Sequence, residues 1–397
     1  MPLPSKESLR RRSSEDSVEW FQRRIAAVPG FEVLRAAEIW WDQRYDWLEE
    51  KGYMMRPRYR PGWKASWLDK PHSFQCAEDA ECTVILPSLR YIIDITQKYR
   101  CMDARRTSDS QVVALKRVKS SSDEARISKM FSSQKHAENP ANHCIPLLDV
   151  LQVPESDEVV LVMRWMCPVN DPPFRTIGEV LQFFQEILQV TVLPLDCSIN
   201  MVMDAGTMYS DQYHPVNLSM KYDWSGEASY ESRTCHPPRY YLIDFGFSNI
   251  YDPGEERPPE EPIMSGGYMP PEGESDTLCD SFMTDVFLVG NMMLKHFIDV
   301  NTSDLRSQFG IRGLRFLRPL VKDMVRFNPS KRPTIDEVVN RFTALVKKIP
   351  PRQLRSRAIS MEIPFILVPF FALSSEYKSW TRSAIRTGKP TIPSRVS

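Results

Sequence analysis

The sequence has no net charge to speak of: 51 Lys and Arg are matched by 51 Asp and Glu. No global field therefore draws the chain to nucleic acid or to a membrane surface. Cysteine pairs are missing as well. Cys76, Cys82, Cys101, Cys144, Cys167, Cys197, Cys235 and Cys279 are scattered without a C-x-x-C. That suits reduced thiols in an intracellular protein, cytoplasmic or nuclear, better than a disulfide framework or a zinc site. The opening MPLPSKESLRRRSSEDS has no apolar core of a secretory leader, so secretion is not expected. The most apolar late stretch, IPFILVPFFAL at 363–373, is too short to span a bilayer and holds two prolines, so no transmembrane segment is expected and a core or docking role is. Glycine is scarce, 15 against 32 prolines, which points to rigid loops and many boundaries.

What is present is an ordinary globular composition, 42% hydrophobic and 26% charged over 397 residues, enough for two or three lobes with real cores. Residues 1–17 are polar without periodicity and read as a disordered leader. A tryptophan-rich extension follows at 18–85, helical in its apolar spacing from Val18 to Lys51; six of the nine tryptophans lie before residue 68. Its MRPRYRPGWKASW, residues 55–67, has two readings. Arg and Tyr could grip phosphates and stack on bases, or an extended segment could dock its aromatics on the main domain. The neutral net charge favours docking over nucleic acid.

From 86 to 166 the pattern is strand-rich, with VVALKRV (112–118) and VVLVMRW (159–165) as strands and DEARISKMFSS (123–133) as a helix. From 167 to 347 helical spacing dominates: GEVLQFFQEIL, TDVFLVGNMMLKHF, RGLRFLRPLVKDMVRF and TIDEVVNRFTALVKK. Between these helices sits a strand pair, NMVMD (200–204) and YYLIDF (240–245), separated by a long insert at 205–239; residues 348–397 form a tail. Insertions of this length are functional or disordered as a rule. His214, His236 and Cys235 lie in it without metal-ligand spacing, so a solvated loop is expected there.

Four stretches in fixed order carry chemistry. VALK ends in Lys116, LDCSIN holds Asp196 and Asn200, IDFG holds Asp244, and GYMPPE ends in Glu272, followed by TDVFLVG with Asp285 and KRPT with Arg332. This order resembles the eukaryotic protein kinases over about residues 105–347, and its details look closest to divergent fungal kinase-like proteins. The resemblance implies an α+β, bilobal kinase-like fold, with a small strand-rich N-lobe, a larger mainly helical C-lobe and the helical, aromatic extension before them. It implies ATP and Mg2+ as cofactors and a protein as substrate or partner; it sets no oligomeric state.

By that resemblance Lys116 supplies a point charge to the ATP α- and β-phosphates, and Glu124, in E-A-R-I, holds it. Met163 contacts the nucleotide, Asp196 is the catalytic base, and Asp244 and Asn200 bind the metal. Glu272 and Arg332 form a buried ion pair, and Asp285 braces the catalytic loop. Ser265, three before Tyr268, matches a pattern that favours hydroxyl amino acids as substrates. Each residue also has a plain structural reading: Lys116 as a solvated strand lysine, Glu124 as a favourable charge in a first helical turn, Asp244 as the cap of a buried hairpin. Gly246 is expected to let the backbone reverse after Asp244.

The departures from the family are equally specific. The stretch IIDITQKYRCMDARRTSDSQVVALK before Lys116 has no glycine, so backbone amides cannot grip phosphates in the usual way and Arg105 or Arg106 are the side-chain alternatives. Pro194 and Leu195 stand where the family has His-Arg, Ser198 stands where it has Lys, and Asn200 lies one residue early, the family position falling on Met201. The run from the 178–188 helix to Asp196 leaves little room for the family's central helix and short strand. A pseudokinase, the same fold used for binding or scaffolding, is the alternative these departures raise.

Overall fold

The computed structural model describes residues 34, 36–66, 100–190, 200–215, 217–246, 248, 258–261, 270–275, 278–299, 310–361, 363, 366, 368 and 375–394. It is a mixed α+β structure, as the alternation of patterns predicts. The chain divides into two compact units, residues 1–85 with 104–110, and residues 86–103 with 111–397.

In the smaller unit, two short helices, α1 (Ala36–Asp42) and α2 (Tyr45–Glu50), precede strand β1 (Tyr53–Met55). β1 pairs antiparallel with residues 104–106 of strand β2 (Cys101–Arg106), Tyr53 opposite Arg106 and Met55 opposite Ala104. The basic strip is folded onto these helices. Arg58, wholly buried, donates from Nε to Glu38 Oε1 at 2.7 Å and from Nη2 to Oε2 at 3.0 Å; the Tyr59 hydroxyl donates to the same carboxylate at 3.1 Å. The Arg58 guanidinium also lies 4.7 Å over the Trp63 ring. Arg58 is thus committed to a desolvated carboxylate of its own unit, so that the strip packs on α1 rather than offering this guanidinium to phosphates.

The larger unit begins with a sheet in the order β2-β3-β5-β4, where β3 is Val112–Lys119, β4 Leu147–Gln152 and β5 Glu158–Arg164. β3 alternates over its first half, burying Val113 and Leu115 on one face as a half-buried strand does, and buries Val118 on the other face. β5 is the apolar run Val159–Met163, buried throughout because β3 and β4 flank it on both sides. Helix α3 (Asp123–Ser132) starts where Ser122 caps it, its hydroxyl accepting from Ala125 N at 3.3 Å, and carries Asp123 and Glu124 in the first turn, where the dipole favours acids. A short helix α4 (Gln134–Ala137) follows.

A second, antiparallel sheet runs β6-β7-β8, with β6 Cys167–Pro168, β7 Met201–Asp204 and β8 Arg239–Leu242. Among the described residues the α-helices of the remainder are α5 (Ile177–Val190), α6 (Ser281–Met292), α7 (Arg318–Met324), α8 (Ile335–Val346), α9 (Pro351–Leu354) and α10 (Ser375–Arg386). α6 passes directly into a π-helical stretch, Met293–Ile298. α5 is buried nearly all round, with Ile177, Val180, Leu181, Phe183, Phe184, Ile187 and Leu188 in the core and Glu179 and Gln182 buried beside them, as befits a central helix. Around it Phe184 meets Phe297 at 4.9 Å and Phe183 meets Tyr240 at 4.9 Å.

At its first turn α5 carries Gly178, where an added Cβ would stand 1.8 Å from the Thr391 carbonyl oxygen and 2.9 Å from its carbon. Only glycine lets these two backbones approach so closely. Gly178→Ala is therefore expected to lower the unfolding free energy by about 1–3 kcal/mol as the tail is pushed off the helix, read as a lower urea midpoint at unchanged slope.

Candidate functional site

Local rules place the first two residues of the site. Lys116 leaves β3 on the same face as Ala114, and only a short turn separates the strand from the Ser122 cap, so Glu124 arrives in the first turn of α3. Lys116 Nζ donates to Glu124 Oε1. The same nitrogen donates to Asp244 Oδ1 at 2.8 Å, across 128 positions of sequence. The side chains of Lys116, Glu124 and Asp244 are 13%, 11% and 26% exposed, a largely desolvated cluster of one cation and two carboxylates.

Asp244 stands two residues beyond β8 at φ +64. The left-handed region is costly for most side chains but open to aspartate. The next residue, Phe245, is 1% exposed and belongs to the core that also contains Ile127 of α3. Burial of that ring fixes the backbone that aims Asp244 at Lys116. Gly246 does not play the part expected of it, since the left-handed residue is Asp244 and a Cβ at 246 would meet Asp244 Oδ1 at an ordinary 3.5 Å.

Burial alone would lower the Lys116 pKa; Glu124 first, then Cys101 and Asp244, more than reverse it, and the ammonium is held above its ordinary value. Burial raises the Glu124 carboxyl against the pull of Lys116. Two carboxylates on one ammonium leave the cluster with a surplus negative charge, and Asp244 Oδ2 has no hydrogen bond among the described residues. This donor set fits a hard divalent cation held by one carboxylate together with phosphate oxygens. Among the described residues no group of three or more His, Cys, Asp or Glu could hold a metal by itself.

Met163 lies in register opposite Ala114, and Leu161 opposite Lys116. Met163 therefore shares a sheet face with Lys116 at two residues' remove, within a cluster that includes Val118, Ala125 and Met166. Asn200 immediately precedes β7, and its carbonyl accepts from Ile243 N at 2.9 Å, the next rung after Met201–Leu242. The ladder thus brings Asn200 one residue from Asp244 in the facing chain. Asp196, with Pro194, Leu195 and Ser198, lies outside the described residues, as do Ser265 and Tyr268.

Glu272 and Arg332 meet face to face. Nη1 donates to Oε1 at 2.8 Å and Nη2 to Oε2 at 2.6 Å, with the Thr284 hydroxyl adding a third bond to Oε1 at 2.9 Å. Asp285, on the next position of α6, is buried at 4% exposure. Arg106 is engaged locally, donating to both oxygens of Asp109 in the turn after β2.

Sequence reasoning misread the 205–239 insert. The described part is folded and packed, not solvated: Met208, Tyr209, Leu218 and Ala228 join the core. His214 is 2% exposed with its ring 4.6 Å from that of Trp224. Two residues that went unnoticed anchor it. Arg233, wholly buried, donates to the Tyr240 hydroxyl at 2.7 Å and to the Val169 carbonyl at 2.8 Å, with its guanidinium 3.9 Å from the Phe174 ring. Glu179 accepts from Thr234 N and Oγ1 at 2.9 and 2.7 Å while its other oxygen caps α5 at Arg175 N and Thr176 N. The T-x-x-E spacing of Thr176 and Glu179 is the sequence signal that could have found it.

No helix among the described residues is long and apolar enough to cross a membrane. No protein-family model matches the sequence, and no curated protein matches it.

Proposed function

We propose that the chain is a bilobal protein kinase-like protein that binds ATP with Mg2+ and transfers the γ-phosphoryl group to a Ser or Thr hydroxyl of a protein. The observation that carries this reading is the convergence of Lys116, Glu124 and Asp244 from three distant stretches of sequence. Phosphoryl transfer asks little covalent chemistry of a protein; it asks for placed charge and an oriented hydroxyl. Lys116, held by Glu124, offers the ammonium to phosphate oxygens. Asp244 and Asn200 would hold the metal, which supplies neutralisation of the charge on those oxygens. Met163 and Ala114 line the sheet face beside Lys116 and give the base an apolar seat. Asp196 takes the proton of the acceptor hydroxyl as its oxygen bonds to phosphorus and the bond to the β-phosphate oxygen breaks.

A second reading, a pseudokinase that binds nucleotide or partners without turnover, is favoured by Pro194-Leu195 before Asp196 and by the glycine-free approach to Lys116. Two measurements separate them. Saturating ATP with Mg2+, at about 100 times its Kd, is expected to add about 2.7 kcal/mol to the unfolding free energy, and EDTA to remove it. Purified protein with labelled ATP and generic protein acceptors is expected to transfer label to Ser and Thr. Label equal to that of an Asp244→Asn control overturns the enzyme reading, and the absence of any shift with ATP and Mg2+ overturns nucleotide binding.

A further inference from the structure

The even overall charge hides a sharp local imbalance. Residues 347–397 carry ten Lys or Arg and two Asp or Glu, so the rest of the chain is acidic by the same margin. In α10, Lys378, Arg382 and Arg386 recur every fourth residue, which lines them up on one side of the helix, and all three are exposed. Lys347, Lys348 and Arg352, at the end of α8 and in α9, are exposed too. None of these six touches a carboxylate among the described residues, although Arg126, Arg318, Arg326 and Arg341 elsewhere on the surface all do. The two basic segments are packed together: the Tyr377 hydroxyl donates to the Arg355 carbonyl, and the Arg355 guanidinium donates to the Lys389 carbonyl.

Between them runs I-P-F-I-L-V-P-F-F-A-L, without one charged or hydrogen-bonding side chain, and Ile366 within it is 78% exposed. A cavity of about 460 Å³ at the end of α10 adds Lys389, whose ammonium donates to the Cys235 carbonyl at 3.2 Å and keeps further N–H groups for an anion.

We propose that this segment docks the protein on an anionic lipid surface, the basic side of α10 meeting the headgroups and Ile366 entering the boundary between headgroups and acyl chains. A bare cluster of cations would serve any polyanion. An exposed aliphatic side chain twelve positions before Lys378 fits lipid, which alone offers both a negative surface and an apolar interior. Nucleic acid is the poorer match, because Trp380 of the same helix already stacks on Tyr377, ring centroids 5.7 Å apart. The inference is independent of any phosphoryl transfer.

The test is sedimentation of the full chain with phosphatidylcholine vesicles, with and without phosphatidylserine, at low and high salt. Binding is expected only with phosphatidylserine and is expected to be lost in high salt. The triple variant Lys378→Gln, Arg382→Gln, Arg386→Gln is expected to bind about a hundredfold more weakly, with an unchanged urea midpoint because the three side chains are exposed and meet no carboxylate among the described residues. Ile366→Gln, which leaves the charge alone, is expected to weaken binding about tenfold. Equal binding to neutral vesicles, no vesicle binding alongside tight binding to RNA, or an Ile366→Gln variant as tight as the parent would each overturn the proposal.

Discussion

Glu272→Ala is expected to lower the unfolding free energy by about 3–5 kcal/mol, because it strands the charge of Arg332 in the core. Arg332 and Glu272 have side chains 0% and 4% exposed, so bulk solvent does not reach the guanidinium in the folded chain. The guanidinium keeps its bonds to the Met283 and Arg326 carbonyls at 2.8 and 2.9 Å and its position 4.8 Å over Phe287, but these groups carry no full negative charge. The Thr284 hydroxyl loses its acceptor as well. Adding Arg332→Met to Glu272→Leu is expected to recover part of the loss, since an apolar pair leaves no buried charge behind. A urea midpoint shift in the single variant worth less than about 1 kcal/mol would mean that the pair behaves as a surface bridge.

The same pair sets a pH dependence. Burial by itself would raise the Glu272 carboxyl; the bonds from Arg332 and Thr284 and the charge of Arg332 outweigh it and hold the group below its ordinary 4.5. A folded value depressed below the unfolded one contributes stability in full above the unfolded value, and loses it as pH falls through the folded one. The gap between the parent and Glu272→Ala should therefore be wide at neutral pH and close only below about 4.5.

Most of the frame around Lys116 could be read from pattern because the forces that build it are local. The alternation in V-V-A-L-K-R-V, the unbroken apolar run of β5 and the Ser122 cap before D-E-A-R-I each specify one element without help from the rest. The conformation of Asp244 could not be read that way. A glycine two residues on is the obvious place for a reversal, yet burial of Phe245 puts the left-handed residue on the aspartate itself. The insert was illegible for a related reason. Histidine, tyrosine and tryptophan suit a wet loop and a packed one equally, and what decides for packing is the reach of Arg233 and Thr234 to groups some sixty residues away in sequence. In the strip at 55–67 the burial of Arg58 depends likewise on Glu38, twenty positions earlier. Sequence carries the residue types, while long-range partners decide which of them are exposed.

On the proposed kinase reading, Lys116→Met is expected to lower kcat/KM for phosphoryl transfer by about 10²–10³-fold, the usual cost of removing one placed charge from a site where negative charge develops. Lys116→Arg should not restore it, since a planar fork cannot occupy the space between Glu124 and Asp244 that a single nitrogen fills. The variant also has a signature apart from activity. Without the ammonium, Glu124 and Asp244 face each other across a desolvated gap, and the two effects of Lys116 that pull the Glu124 carboxyl down, its charge and its hydrogen bond, disappear. The Glu124 value, already raised by burial, then rises further. A carboxyl whose folded value lies above its unfolded one favours the fold at low pH and works against it as pH climbs through that value. Lys116→Met should accordingly match the parent in acid and fall behind it by about 1–3 kcal/mol at neutral pH, the reverse of the trend for Glu272→Ala. A pH-independent difference in urea midpoint would show that the lysine does not hold these two carboxylates together in solution.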